Sequence, residues 1–244
     1  MRRRNQELDK FAYVVSHDLK APLRAIANLS VWLEDDLQGK LSPDNEQLMN
    51  LLRARVYRLE ALIDGLLAYS RIGRLEVTTE MTDVESLLGE IIDSLMPLPG
   101  FEIFIHTPLP SFVTKKLLLS QVFSNLISNA IKHHDGERGE IDISVDEGRF
   151  FYQFAVSDDG PGIAPQYHER IFTIFQTLES RDKKENTGIG LSIVKKIVET
   201  EGGRIWLDSE PGRGTTFYFT WPKHPLNEKN TNSGRISVDS NKNF

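Results

Sequence analysis

The chain has 244 residues, a formal net charge of -6, 39% hydrophobic and 26% charged residues, and no cysteine. That composition excludes disulfides and thiolate metal sites, gives no reason to expect nucleic-acid binding, and fits one large globular domain or two small ones. No apolar run approaches the ~20 residues needed to span a bilayer, and no apolar stretch follows Met1-Arg-Arg-Arg4 to make a signal peptide.

From Gln6 to Gln38 the apolar residues Leu8, Phe11, Val15, Leu19, Leu23, Ile26, Leu29, Leu33 and Leu37 recur at three-to-four spacing, which predicts one long helix. Gly39 stops it, and Ser42-Pro43 supplies a cap and a first-turn residue for a second helix reaching about Ile72. Leu48, Leu52, Val56, Leu59, Ile63 and Leu66 form its stripe. Residues 1–72 therefore read as an antiparallel helical hairpin. A single hairpin covers its apolar stripe on one side only, so two copies are expected to pair into a dimeric four-helix bundle.

The pattern changes at Gly73. Strands are predicted at Leu75–Thr79, Phe101–Ile105, Glu140–Val145, Phe150–Ser157, Arg204–Asp208 and Thr215–Trp221. Helices are predicted at Val84–Leu95, Lys116–His134, Pro165–Phe172 and Ile189–Glu201. Residues 73–222 thus read as an α+β two-layer sandwich, a mixed sheet with helices on one face. Residues 223–244 are rich in Asn, Ser and Lys and are predicted to be disordered. Since the chain starts almost directly inside a helical pattern, a preceding input domain is expected.

Four polar or glycine-rich islands interrupt this apolar periodicity. In the first helix, Leu8, Phe11, Val15, Leu19 and Pro22 cluster around one direction at ~100° per residue, and His17 falls opposite them. A carboxylate such as Asp18 that takes the Nδ1 proton would leave the Nε2 lone pair free to attack. Pro22 removes a helical hydrogen bond one turn later, at a cost of about 3 kcal/mol, and should bend or loosen the helix there. A surface histidine on a helix that merely contains a proline fits the same residues.

Farther along, Asn125, Asn129 and Lys132 gather within ~60° on the flank of a helix whose apolar face includes Leu119, Val122, Phe123, Leu126, Ile127 and Ala130. Asparagine is a poor interior helix residue. Its carboxamide oxygen can coordinate Mg²⁺, and a lysine adds a point charge for phosphates. A solvated helix flank is the competing reading. Phe154, Val156 and Asp158 then alternate onto one strand face, where a carboxylate is costly unless a donor meets it; the exocyclic amine of adenine is such a donor. Gly160 and Gly162 in Asp158-Asp-Gly-Pro-Gly-Ile163 would let backbone approach a flat ring, although a plain tight turn uses the same residues. The polar stretch Gln176 to Thr187 reads as a mobile lid, or as simply solvated charge. Thr187-Gly188-Ile189-Gly190-Leu191 opens a helix whose free amides can meet phosphate, though a turn can use these glycines for geometry alone.

In this order, Ser16-His17-Asp18-Leu19-Lys20-Ala21-Pro22, Asn125-Leu-Ile-Ser-Asn129-Ala-Ile-Lys132, Asp158 to Ile163 and Thr187 to Leu191 closely resemble the two-component sensor histidine kinases over about Phe11 to Pro222. Phe175-Gln-Thr-Leu178, Gly202-Gly-Arg-Ile-Trp206 and Phe217-Tyr-Phe-Thr220 look most like the modules of phytochrome-related sensors. The resemblance implies a dimerisation and phosphoacceptor hairpin followed by a GHKL (Bergerat-type) ATP-binding domain. It implies His17 as phosphoacceptor with Asp18 as its base, and Asn129 as the ligand of Mg²⁺ beside Asn125, Lys132 and His133. It implies Asp158 as reader of adenine within Gly160, Gly162 and Ile163. Phosphate contacts would come from Thr187, Gly188, Gly190 and Leu191, and a further nucleotide contact from Thr216.

The implied activity is ATP-dependent autophosphorylation and transfer to an aspartate of a response-regulator receiver domain, in a cytoplasmic setting, with a hinge near Gly73. Ala21 stands where phosphatase-competent members have Thr or Asn, so weak phosphatase activity is expected. Two other function classes share parts of this pattern. A degenerate nucleotide-holding scaffold is opposed by Asn129, Asp158, Gly188 and Gly190. A chaperone- or gyrase-type ATP clamp is opposed by the lack of an acid on the asparagine helix, where Gln121 and Ser128 stand instead.

Overall fold

The structure is a computed structural model. It describes residues 2–37, 40–74, 76–95, 100–106, 108–176 and 187–225, with side chains from Asp18 onward. Two long helices come first: α1 (Arg2–Asp36), with Pro22 inside it, and α2 (Pro43–Arg71). The start of α2 follows from Ser42, whose side chain accepts from the Asn45 N–H at 3.3 Å ahead of Pro43 in the first turn. Ion pairs Lys20–Asp64 and Glu34–Arg53 cross between the two helices. Gly39 and the side chain of His17 lie outside the described residues, so the outward direction expected for that imidazole does too.

Residues 76–79 are not strand, which corrects the segment predicted at Leu75–Thr79; Leu75 lies outside the described residues. The strand comes later, as β1 (Glu80–Asp83), and leads straight into α3 (Val84–Leu95). Asp83 starts that helix by accepting from the Ser86 N–H at 2.8 Å. Then follow β2 (Phe101–Ile105), β3 (Ser111–Thr114), α4 (Lys116–His133), β4 (Gly139–Glu147) and β5 (Phe151–Asp158). After them come α5 (Gly190–Thr200), β6 (Ile205–Ser209) and β7 (Thr215–Pro222). The helix predicted at Pro165–Phe172 is instead two 3₁₀ turns, Pro165–Tyr167 and Arg170–Phe172. Short 3₁₀ turns serve as connectors where the chain is too brief for a full helix.

The strands form a five-stranded mixed sheet, β2-β4-β5-β7-β6, and a separate two-stranded β1-β3 ribbon. Within the large sheet β2 and β4 are parallel and the other pairs antiparallel. The ribbon is held to the sheet by Trp221, buried in β7, whose Nε1–H donates to Thr114 Oγ1 at 2.8 Å. Alternation on the strands sends Ile141, Ile143, Phe154, Val156, Phe217 and Phe219 to one face, where they meet Leu119, Val122, Phe123 and Leu126 of α4 and Val194 and Ile197 of α5. Phe123 sits edge-on to both Phe154 and Phe219, with centroids 5.3 Å away in each case. The α+β two-layer sandwich with helices on one face is the arrangement observed.

The hairpin also reaches this core. Leu62, Ala68 and Tyr69 of α2 pack against it, and Ile72, just past the helix end, is buried within it. Gly73 follows at φ 76° against the Thr200 side chain.

Candidate active site

Between α4, the turn after β5 and the start of α5 lies a cavity of about 480 Å³, within the range of small-molecule sites. Asn125, Asn129, Lys132 and His133 line it from α4, Asp158 from the end of β5, Gly162 and Ile163 from the turn after it, and Thr187, Gly188, Gly190 and Leu191 from the α5 entry. Three islands far apart in sequence thus converge because β5 lies centrally in the sheet and both helices cover the same face.

Asn125 donates its Nδ2 to the Gln121 carbonyl at 2.7 Å, which turns its Oδ1 toward Gly190. The amide on this flank therefore offers an oxygen, a hard donor suited to Mg²⁺. Among the described residues no group of three or more His, Asp or Glu could hold a metal. The donor set fits a cation that shares phosphate oxygens and takes few protein ligands.

Asp158 is largely removed from water, and burial pushes its carboxyl up from the ordinary 3.8 to about 6, against the pull of the Gly160 amide. That amide donates to Asp158 Oδ1 at 3.1 Å. Gly160 is buried behind the carboxylate and does not line the cavity. The neighbouring Asp159 accepts from the Glu140 N–H at 2.8 Å and from His134 Nε2 at 3.1 Å. The Gly136 amide donates to the other ring nitrogen, Nδ1, at 2.9 Å, so the turn after β5 is tied back to the end of α4.

Gly188 has φ 67°, and a Cβ there would stand 2.7 Å from the Gln176 carbonyl oxygen. The Phe175 N–H donates to the Gly188 carbonyl at 2.9 Å, which brings together the two chain segments flanking the predicted lid. Of the predicted lid, Gln176 to Thr187, residues 177–186 lie outside the described residues. Helix α5 then begins at Gly190 without a side-chain cap, so its first amides are available to an anion.

One predicted contact is corrected. Thr216 does not line the cavity; Thr215 and Phe217 do. Strand alternation turns Thr216 to the other face, where its hydroxyl meets Ser157 Oγ at 2.8 Å. Sequence reasoning missed Ser128, Ala130, Pro161, Ile171, Gln176, Thr215, Phe217 and, from α2, Ala61. Ala61 reaches the cavity because Gly65, one turn on, lets α2 come close: a Cβ there would stand 2.7 Å from Ile189 Cδ1. No local periodicity announces such a contact between two units. Asp18 is exposed on α1.

Two families match the chain. The His Kinase A (phospho-acceptor) domain matches residues 7–75. The histidine kinase-, DNA gyrase B- and HSP90-like ATPase family matches residues 114–225. Cyanobacterial phytochrome A of Nostoc sp. is 41% identical over 225 residues, covering 91% of this chain and 29% of that protein. The adaptive-response sensory kinase SasA of Crocosphaera subtropica is 32% identical over 226 residues, covering 88% of this chain and 59% of its own length. Among solved structures, full-length ShkA in complex with AMPPNP aligns with a TM-score of 0.68 at 27% identity, over 88% of this chain and 46% of that one. The chain therefore spans under a third of the phytochrome and under two thirds of the other two proteins. No helix among the described residues is long and apolar enough to cross a membrane.

Proposed function

Because this chain belongs to the two-component sensor histidine kinases, and is related to those of phytochromes, we propose that it transfers the γ-phosphoryl group of ATP to His17 and then to an aspartate of a response-regulator receiver domain. The observation that carries this reading is the shared cavity: residues of the ATPase-like unit surround it, and Ala61 of the phosphoacceptor hairpin forms part of its wall. In this reading donor and acceptor units meet at the nucleotide.

In this reading Asp158, ionised, accepts from the adenine amine, and Gly162 and Ile163 flank the ring. Lys132 and the opening amides of α5 hold the phosphates. Mg²⁺, held by Asn129 with Asn125 beside it, would neutralise charge between the β- and γ-phosphates. His17 Nε2 attacks the γ-phosphorus in line, the bond to the ADP oxygen breaks, and the imidazole proton passes to Asp18. Positioning and charge neutralisation supply most of the rate, as in other phosphoryl transfers. Two hairpins pair through their exposed leucines into a homodimer, and an upstream sensor domain drives the switch. Since ATP and a receiver domain are cytoplasmic reactants, the module is read as cytoplasmic. Ala21 leaves it a weak phosphatase.

The clamp reading lacks a base, since α4 carries no Asp or Glu. Exposure to γ-labelled ATP tests the proposal. Wild type should gain acid-labile, base-stable label, and His17→Gln should gain none while still binding nucleotide. Equal labelling of the variant would overturn it.

A further inference from the structure

The glycine turn after β5 and the turn between β6 and β7 are joined at one buried oxygen. Ser209 closes β6 and is 6% exposed. Its Oγ accepts from the Ile163 N–H at 2.7 Å and donates to the Gly214 carbonyl at 2.8 Å. Thr215 Oγ1 lies 3.0 Å away. The single Ser209 proton is already committed to Gly214, so the Thr215 hydroxyl is the donor in that pair. A hydroxyl has one proton and two lone pairs, and here all three are used.

Around this oxygen the two turns are in backbone contact. A Cβ on Gly162 would stand 2.0 Å from the Glu210 carbonyl oxygen, and one on Gly214 would stand 2.0 Å from that of Asp158. The Gly212 N–H donates to the Pro161 carbonyl at 2.8 Å. Strand register places Thr215 opposite both Asp158 and Ser209. Pro161, Gly162, Ile163, Asp158 and Thr215 all line the cavity, whereas Ser209 does not. Its hydroxyl thus sits outside the ligand's reach and links the two pieces of backbone that bound the Asp158 end.

We propose that Ser209 is a positioning residue for nucleotide recognition: its hydroxyl sets the spacing between the Pro161–Ile163 turn and the Asp158–Thr215 strand pair, and so the width of the slot that receives the purine. The inference rests on the reading of Asp158 as the adenine partner. Recognition of a flat base requires walls held within ~0.5 Å. With Ala at this position the Ile163 amide, the Gly214 carbonyl and the Thr215 hydroxyl lose their common partner, and the slot loses its fixed width. The phosphate end, built from α4 and α5, does not touch Ser209.

Autophosphorylation kinetics test this, with thermal unfolding followed in parallel. S209A should raise KM for ATP by about tenfold and leave kcat at saturating ATP within about twofold, because the base is seated equally in the ground and transition states. S209T, which keeps the oxygen, should restore KM. T215V, which removes one of the three bonds without changing shape, should raise KM by a smaller factor, and it carries the test if S209A melts below the assay temperature. D158N is measured alongside. An unchanged KM for D158N would overturn the adenine reading and this inference with it. A raised KM for D158N with an unchanged KM for S209A (or T215V), or a loss in kcat alone, would overturn only the role of Ser209.

Discussion

A carboxylate placed where water is scarce burdens the empty protein, and Asp158 is such a group. Its folded-state pKa of about 6 lies above the ordinary 3.8, so the folded chain binds its proton more tightly than the unfolded chain does. The associated stability is fully present below about pH 4 and is lost as pH rises through about 6. At pH 7.5 the ionised side chain therefore costs stability on the order of 3 kcal/mol, given about 1.4 kcal/mol per tenfold change in proton affinity. Asp158→Asn should raise the melting temperature of nucleotide-free protein at pH 7.5 by several degrees. The advantage should shrink as pH falls through 6 and vanish near 4. Melting curves across that range check it; a variant less stable than wild type at pH 7.5 would contradict the assignment. Nucleotide binding should move the other way, since a donor amine favours the ionised form. Here the residue's type and strand position were readable from the Phe154-Val156-Asp158 alternation. The choice between Thr215 and Thr216 was not, because one residue of strand phase decides the face and only the pairing with β5 fixes that phase.

At the level of elements, the long amphipathic helices and the central strands were legible because each carries its own apolar period. The ribbon β1-β3 was not. Each of its strands has four residues, and it is held by pairing to a distant segment and by Trp221 reaching Thr114. The docking of α2 on the start of α5 was equally invisible, since its signal is the missing side chain of Gly65. That contact yields a prediction. Gly65→Leu would drive a side chain into Ile189 and push α2 away from the α5 entry. Hydrogen exchange of the Ile193 amide, which donates to the Ile189 carbonyl at 2.9 Å, should then quicken by roughly tenfold, equivalent to about 1.4 kcal/mol of lost docking. Unchanged exchange there would mean that the two units do not rest on each other in solution. The cation of Lys196, 5.6 Å from the Tyr69 ring centroid, is the second point of this contact.

For the whole molecule, the hairpin leaves much of its apolar surface uncovered within one chain. Leu29 and Leu33 of α1 are each 53% exposed and Leu48 of α2 is 61% exposed. An exposed apolar patch of this kind marks an interface, and the proposed second copy would cover it. The double variant Leu29→Glu, Leu52→Glu should sediment as a monomer at micromolar concentration where wild type sediments as a dimer, with the melting of the sheet domain unchanged. A monomeric wild type would refute the pairing. The sheet domain has a different dependence. Its middle strand β5 pairs on one side with β4, the strand just before it, and on the other with β7, reached only after the 3₁₀ turns, α5 and β6. On the ribosome, then, β5 must wait with one edge bare until β7 emerges from the exit tunnel. The nascent chain passes through a stage in which the hairpin is complete and the cavity does not yet exist. Under the proposed function, synthesis itself thus delays self-modification until the domain has closed.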